Sequence, residues 1–208
     1  LTIEYDGCHY AGWQRQRSGI ATVQQAIEAA IYGFCQQDLR LLVAGRTDSG
    51  VHAYGQVAHL DLDYGDCELS GFALAKALNA HLRDHPITII AAEPVNFDFH
   101  ARFKAVNKQY MYRILNRPSP PAIEAGRMWN CKRELDANAM QAAADKLIGH
   151  HDFTSFRDSE CQAKSPVRTL DRLDVCAYDY DGTGGREIRI YAESRSFLHH
   201  QIRAFAGT

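Results

Sequence analysis

No apolar stretch in this 208-residue chain approaches the roughly 18 residues that a membrane-spanning helix requires. The N-terminus, Leu1-Thr2-Ile3-Glu4-Tyr5, has neither the basic region nor the apolar core of a secretory leader. The six cysteines (Cys8, Cys35, Cys67, Cys131, Cys161 and Cys176) are scattered, and no CxxC pair occurs. That spacing argues against a disulfide scaffold and a thiolate zinc site, and makes a reducing cytoplasm the simplest compartment. The phosphate loop GxxxxGK[ST], HExxH and the GxSxG elbow are missing, and Gly182-Thr183-Gly184-Gly185 lacks GxGxxG spacing. The basic balance usual for nucleic-acid proteins is missing too: the formal net charge is −2.

What is present is an ordinary globular composition, with 46% hydrophobic and 23% charged residues, which excludes global disorder. The charge is unevenly spread. Residues 99–133 hold Arg102, Lys104, Lys108, Arg113, Arg117, Arg127, Lys132 and Arg133 against Glu124 alone, whereas Asp61, Asp63, Asp66 and Glu68 crowd residues 61–68. One basic surface on a neutral body can bind phosphates, although the same residues can form a solvated strand and loop.

Periodicity and capping signals predict a strand at Leu1–Tyr5, a polar loop at Asp6–Ala21, and a helix to about Gln36 opened by Thr22 and Gln25 in capping-box spacing. A short strand at Leu39–Ala44, a loop at Gly45–Gly50 and a strand at Gly55–Asp63 follow. A helix capped by Ser70 runs to about Leu82, and Pro86–Ala92 forms the next strand. This is β-α-β-β-α-β, the split βαβ order of ferredoxin-like domains. The pattern restarts with a strand at Lys104–Asn116, a break at Pro118–Pro121, and a helix from Asp136 to about Ile148 with Gly149 as its C-cap. A hairpin of Arg168–Tyr178 with Glu187–Ser194 and a helix at Phe197–Ala206 complete it. The expected fold class is α+β: two ferredoxin-like halves, 1–98 and 99–208, with antiparallel sheets joined or adjacent and helices on one face. The order implies residues before Leu1 and one more strand after Thr208.

Four segments carry candidate chemistry. Gly45-Arg46-Thr47-Asp48-Ser49-Gly50-Val51-His52-Ala53 places a carboxylate in a glycine-flanked loop at a strand end, beside a guanidinium that can keep it ionised. Taken alone, Asp-Ser-Gly is also ordinary turn chemistry. Tyr5 through Gln16 gathers aromatic and amide groups, including Trp13 and Gln14, that suit either base stacking or a packed loop anchored by Trp13. Phe99–Arg113 interleaves basic and aromatic residues, with Tyr110, Tyr112 and Ile114 on one strand face by period two. In Phe197–Arg203, His199 and His200 would point about 100° apart on a helix and make a poor metal pair. His150 and His151 follow a helix end, where the dipole favours histidine, and His52 and His59 would oppose each other on one strand. No metal is expected.

Together these segments resemble one family. Tyr5-Asp6-Gly7, Tyr10, Gly12-Trp13-Gln14 and Gln16 look like the N-terminal motif of the TruA-type tRNA pseudouridine synthases, and Gly45–Ala53 with Gln56-Val57 looks like the segment carrying that family's catalytic aspartate. His100-Ala101-Arg102-Phe103, Lys108 with Tyr110 and Tyr112, Asp152–Arg157, and Phe197-Leu198 with Gln201-Ile202-Arg203 and Gly207 match later segments in the same order. The resemblance spans essentially the whole chain and is closest to bacterial members. It implies that uridine in tRNA is isomerised to pseudouridine without cofactor or metal, on the 3′ side of the anticodon stem-loop, by a homodimer. It makes Asp48 the catalytic carboxylate, as nucleophile or base, Arg203 its basic partner and Tyr110 the ring that stacks on the uracil. Arg46 would help extrude the base. Arg102, Lys104, Lys108, Arg113 and Arg157 are candidate phosphate contacts, with Trp13, Gln14 and His52 completing the substrate-binding set.

Two other classes compete. A non-catalytic ferredoxin-like RNA-binding module accounts for the fold but expects an RNP1-type strand, which is missing. A glycoside or nucleoside hydrolase normally needs two carboxylates, and Asp48 has no sequence-near partner.

Overall fold

A computed structural model describes residues 1–17, 19–65 and 69–208. Asp66, Cys67 and Glu68, from the acidic run expected at a strand end, lie outside the described residues, as does Ser18. The chain forms two compact units, Leu1–Ala105 and Val106–Thr208. The element order of the sequence places this boundary at residue 98. Residues 99–105 go with the first unit because Ala101, buried, donates its N–H to His59 Nδ1 (3.2 Å), while His100 and Phe99 pack on the His59 ring.

Unit 1 runs β1 (Thr2–Tyr5), α1 (Val23–Cys35), β2 (Leu42–Val43), β3 (Ala53–His59), α2 (Gly71–His81), β4 (Ile87–Ala91). The sheet order is β2-β3-β1-β4, every neighbour antiparallel, as the split βαβ pattern requires. Thr22 caps α1 by accepting from Gln25 N, and Ser70 caps α2 by accepting from Ala73 N. Along α1, Val23, Ala26, Ile27, Ala30 and Ile31 recur at i, i+3, i+4, i+7 and i+8, and all are buried. They pack on Ile3, Tyr5 and Ile89 of the sheet. Asn79 fastens α2 to β4 by bonding both backbone groups of Ile89 (2.9 and 2.8 Å). Strand β3 ends at His59, four residues short of its expected end at Asp63; Asp61 and Asp63 take no part in the sheet. It starts earlier than expected, at Ala53, where it pairs with Tyr5.

Unit 2 runs β5 (Lys108–Asn116), β6 (Trp129–Cys131), α3 (Ala137–Ala144), β7 (Gly149–Asp152), β8 (Val167–Leu170), β9 (Arg172–Asp179), β10 (Arg186–Ser194), α4 (Gln201–Gly207). Its main sheet has the order β6-β5-β10-β9, and β7 and β8 form a separate ribbon. The core lies between the helices and the sheet face that carries Ile114, Ile188, Ile190 and Ala192. Gln141 ties α3 to β9 through Leu173 O and Val175 N.

Four expectations need correction here. The short strand β6 was not anticipated; it pairs parallel with β5, Ile114 opposite Trp129. The helix opened by Asp136 ends at Ala144, and a single tighter turn leads to Gly149, whose φ of 112° starts β7 instead of capping a helix. His150 and His151 therefore sit on an exposed strand, with His150 bonded to Thr169 Oγ1 (3.0 Å). The strand expected at Arg168–Tyr178 is two strands with different partners, β8 on β7 and β9 on β10. Among the described residues, Cys8, Cys35, Cys131, Cys161 and Cys176 are not joined in disulfides, and no helix is long and apolar enough to cross a membrane.

Candidate active site

In unit 1, the loop from Gly45 to His52 joins β2 to β3 and carries Asp48, which is half-buried, and Arg46, which is exposed. Its shape is imposed from beneath by the N-terminal loop. Trp13 N donates to Thr47 O (3.0 Å), Gly50 N to Tyr10 O (3.3 Å), and Ser49 Oγ to Tyr10 O (3.3 Å). The Tyr5 hydroxyl bonds Thr47 Oγ1 at 2.8 Å, and Gln56 Nε2 donates to Gly45 O at 2.8 Å. Burial pushes the Tyr5 hydroxyl above its ordinary range, against the pull of its bonds to Thr47 and Gln56.

The two loops touch backbone to backbone, and two glycines make that possible. A Cβ on Gly7 would lie 2.1 Å from Val51 O. One on Gly12 would lie 2.7 Å from Thr47 O and 3.1 Å from the Asp48 carbonyl carbon, and Gly12 also holds a φ of 93°. Polar atoms from β1, the N-terminal loop and β3 thus fix the backbone on either side of Asp48. A carboxylate held this way is pre-organised to meet a reacting atom without reorganisation.

Trp13 is buried, 1% exposed, and packs on Tyr5 with ring centroids 5.9 Å apart. It anchors the N-terminal loop. Gln14 is half-buried beside it. His52 closes the loop from the other side: its Nδ1 accepts from Gly7 N (3.2 Å) and lies 3.1 Å from Asp6 Oδ1. His52 precedes β3, so the expected opposition of His52 and His59 on one strand does not arise. Of the basic candidates in this unit, Lys104 is paired with Asp98, and exposed Arg102 lies 6.0 Å from the Phe103 ring centre.

In unit 2, Tyr110 and Tyr112 occupy the helix-side face of β5. Tyr110 meets Phe197 edge to face at 5.2 Å, and Tyr112 packs against the core. Burial raises the Tyr112 hydroxyl, and nearby Arg203 opposes that rise. Arg203 is exposed on α4. Tyr112, Trp129, Arg157, Asp158, His200 and Arg203 line an open cleft of about 680 Å³.

The opposite sheet face explains why the basic run does not behave as one free surface. Arg113 is bonded to Glu187 and Glu124, each at 2.6 Å, and Arg189 to Glu187 at 2.9 Å. Arg172 joins Glu193 and Asp174. The Arg189 and Arg172 guanidinium groups also cover the Tyr178 and Tyr191 rings, at 4.7 and 5.6 Å. Arg113 is thus held between two carboxylates. Arg157 is half-buried and donates to Cys161 O and Ala163 O, holding its own loop. Lys108 lies on the same strand face as Tyr110.

The two adjacent histidines also differ from expectation. Helix α4 starts at Gln201, after His200 in a left-handed conformation (φ 58°). Their rings consequently stack, 3.8 Å apart, and do not diverge. His200 Nδ1 lies 2.8 Å from Asp158 Oδ2, and this bond holds the Asp158 carboxyl below its usual range. Sequence reading missed Asp158 because the partners are 42 residues apart. Tyr5 and Gln56 stand in the motif segments of the sequence, but that they support the aspartate loop shows only in the fold, where they bond Thr47 and Gly45.

Comparison with known proteins defines the class. The tRNA pseudouridine synthase family matches residues 1–104 and 143–208, and the chain belongs to this family, isomerases that act on uridine in tRNA. Among individual relatives it is similar to tRNA pseudouridine synthase A of Rhodospirillum centenum, 52% identical over 208 residues, covering all of this chain and 81% of the relative. It is 50% identical over its full length to tRNA pseudouridine synthase A of Parvibaculum lavamentivorans, covering 80% of that protein, and 52% identical to that of Bartonella tribocorum, covering 81%.

Proposed function

We propose that this tRNA pseudouridine synthase uses Asp48 as its catalytic carboxylate, on uridines of the anticodon stem-loop. The observation that carries the reading is the clamping of the Asp48 loop by Tyr5, Tyr10, Gly12 and Trp13, in a family whose members perform this isomerisation. The N1–C1′ bond breaks, the uracil turns, and a C5–C1′ bond forms; C5 loses a proton and N1 gains one. Atoms balance without an oxidant or an added group. Asp48 acts at the sugar, where a carboxylate can attack C1′ or take a proton.

Tyr110 and Arg203 keep the roles that the resemblance gives them, as the ring under the uracil and the basic partner. Stacking of about 1–3 kcal/mol per base offsets much of the few kcal/mol needed to extrude a nucleotide. Arg46 helps extrude the base; exposed Arg102 is the strongest phosphate candidate, followed by Lys104, Lys108 and Arg157, whereas Arg113 is committed to Glu187 and Glu124. The enzyme works in the cytoplasm as a homodimer. Mapping pseudouridine by carbodiimide adducts and primer extension on treated tRNA tests the site of action. Stops confined to the 3′ side of the anticodon stem-loop are expected; stops elsewhere would refute it.

A further inference from the structure

Glu28 lies mid-helix in α1, on the mainly apolar buried face, and is 7% exposed. Its Oε1 accepts from Gln24 Nε2 (2.7 Å) and from the backbone N–H of Leu41 (3.1 Å), and its Oε2 lies 3.3 Å from Arg15 Nη1. Gln24 is buried too, and its Oε1 accepts from the backbone N–H of Arg15 (3.1 Å). One carboxylate and one amide, a helical turn apart, therefore hold two separate stretches of backbone.

Those two stretches are the ones that lead to Asp48. Leu41 is the residue before β2, and β2 runs directly into the Gly45–His52 loop. Arg15 is two residues past Trp13, whose N–H donates to Thr47 O. Helix α1 closes the circuit, since Val23 N and Gln24 N donate to Gly12 O and Trp13 O (3.2 and 3.0 Å). An apolar side chain would fill this space without the cost of desolvating a charge. What the carboxylate adds is direction, because it accepts only where its donors converge.

We infer that Glu28 is a positioning residue for the reaction, fixing the aspartate loop through Leu41 and Arg15. This rests on the reading of Asp48 as the catalytic carboxylate. The test compares wild type, Glu28→Gln, Glu28→Asp and Asp48→Asn in the full chain. Single-turnover rates at saturating tRNA are measured beside tRNA affinity and thermal midpoint. Glu28→Gln keeps the volume but replaces one acceptor oxygen with an NH2 group, so that either the Arg15 Nη1 contact or the bonds from Gln24 and Leu41 are lost. The expected result is a rate lower by on the order of 10- to 100-fold, as a loosened catalytic group gives, with tRNA affinity within about twofold. Glu28→Asp, which keeps a carboxylate, is expected to recover part of that rate.

A Glu28→Gln rate equal to wild type would overturn the inference, as would rate losses matched by equal losses of tRNA binding. If Glu28→Gln does not fold, Glu28→Asp decides in the same way: slower turnover with intact binding supports positioning, and wild-type turnover refutes it. Failure of both to fold would assign Glu28 to stability alone. An active Asp48→Asn would instead refute the reading of Asp48 itself.

Discussion

Gly12 lies directly beneath the peptide of Asp48: a methyl group on Gly12 would sit 3.1 Å from the Asp48 carbonyl carbon and 2.7 Å from Thr47 O. With φ at 93°, the backbone there is also one that L-residues rarely adopt. Gly12→Ala is therefore expected to cost about 1–3 kcal/mol in strain and to push the aspartate loop outward. Thermal unfolding and turnover together check this: both should fall, and a variant with wild-type stability and rate would contradict the close contact.

Trp13 gives a prediction that separates packing from RNA contact. Trp13→Ala should cost about 3–5 kcal/mol, as for other buried aromatic residues. Trp13→Phe should cost less, because Trp13 Nε1 is buried with no hydrogen-bond partner among the described residues and its loss is no penalty. Folded Trp13→Phe should bind tRNA like wild type. A tenfold loss of affinity in that variant would put the indole on the RNA instead.

Glu187, buried between Arg189 and Arg113, sets a pH limit on stability. Its bond to Arg189, then that to Arg113, hold its carboxyl below the ordinary 4.5 against the effect of burial. A folded-state pKa below the unfolded one contributes stability that is fully present above about pH 4.5 and is lost as pH falls through the lower, folded value. Urea midpoints taken between neutral and acidic pH should therefore drop more steeply below pH 4.5 in wild type than in Glu187→Gln. Parallel curves would show that the carboxylate carries no such linkage.

Tyr110 should be needed for its ring. Tyr110→Ala is expected to lose about 1–3 kcal/mol of stacking, or roughly 5- to 150-fold in kcat/KM, while Tyr110→Phe loses about threefold or less. Equal losses in the two variants would move the role to the hydroxyl.

How much of this was legible depends on how far each interaction reaches along the chain. Thr22, Ser70 and Asp136 announced their helices because a cap acts over three residues. The split βαβ order of unit 1 followed from periodicity in the same way. The aspartate loop stood out by its glycines, yet Gly12 could be read only as a glycine; what presses on it is 35 residues away. Strand β6 has three residues and draws its stability from β5, so no local pattern marks it. The left-handed His200 depends on Asp158 and on Gln201, whose side chain accepts from Leu198 N, and neither contact has a sequence period. Arg113 read as free charge because its partner Glu187 lies 74 residues on. Glu28 did leave a trace: a charged residue four after Gln24 on the buried stripe of α1, where only a paired group is stable.

If the clamped carboxylate of Asp48 carries the isomerisation, its removal abolishes the chemistry and leaves tRNA binding intact. Forming the C5–C1′ bond expels the hydrogen at C5, so tritium released from tRNA labelled there reports the reaction itself. Wild type and Asp48→Asn should be compared at matched tRNA occupancy. The account predicts release by wild type and none above background from the variant, with both binding tRNA equally. Release by Asp48→Asn at a rate near wild type would contradict it.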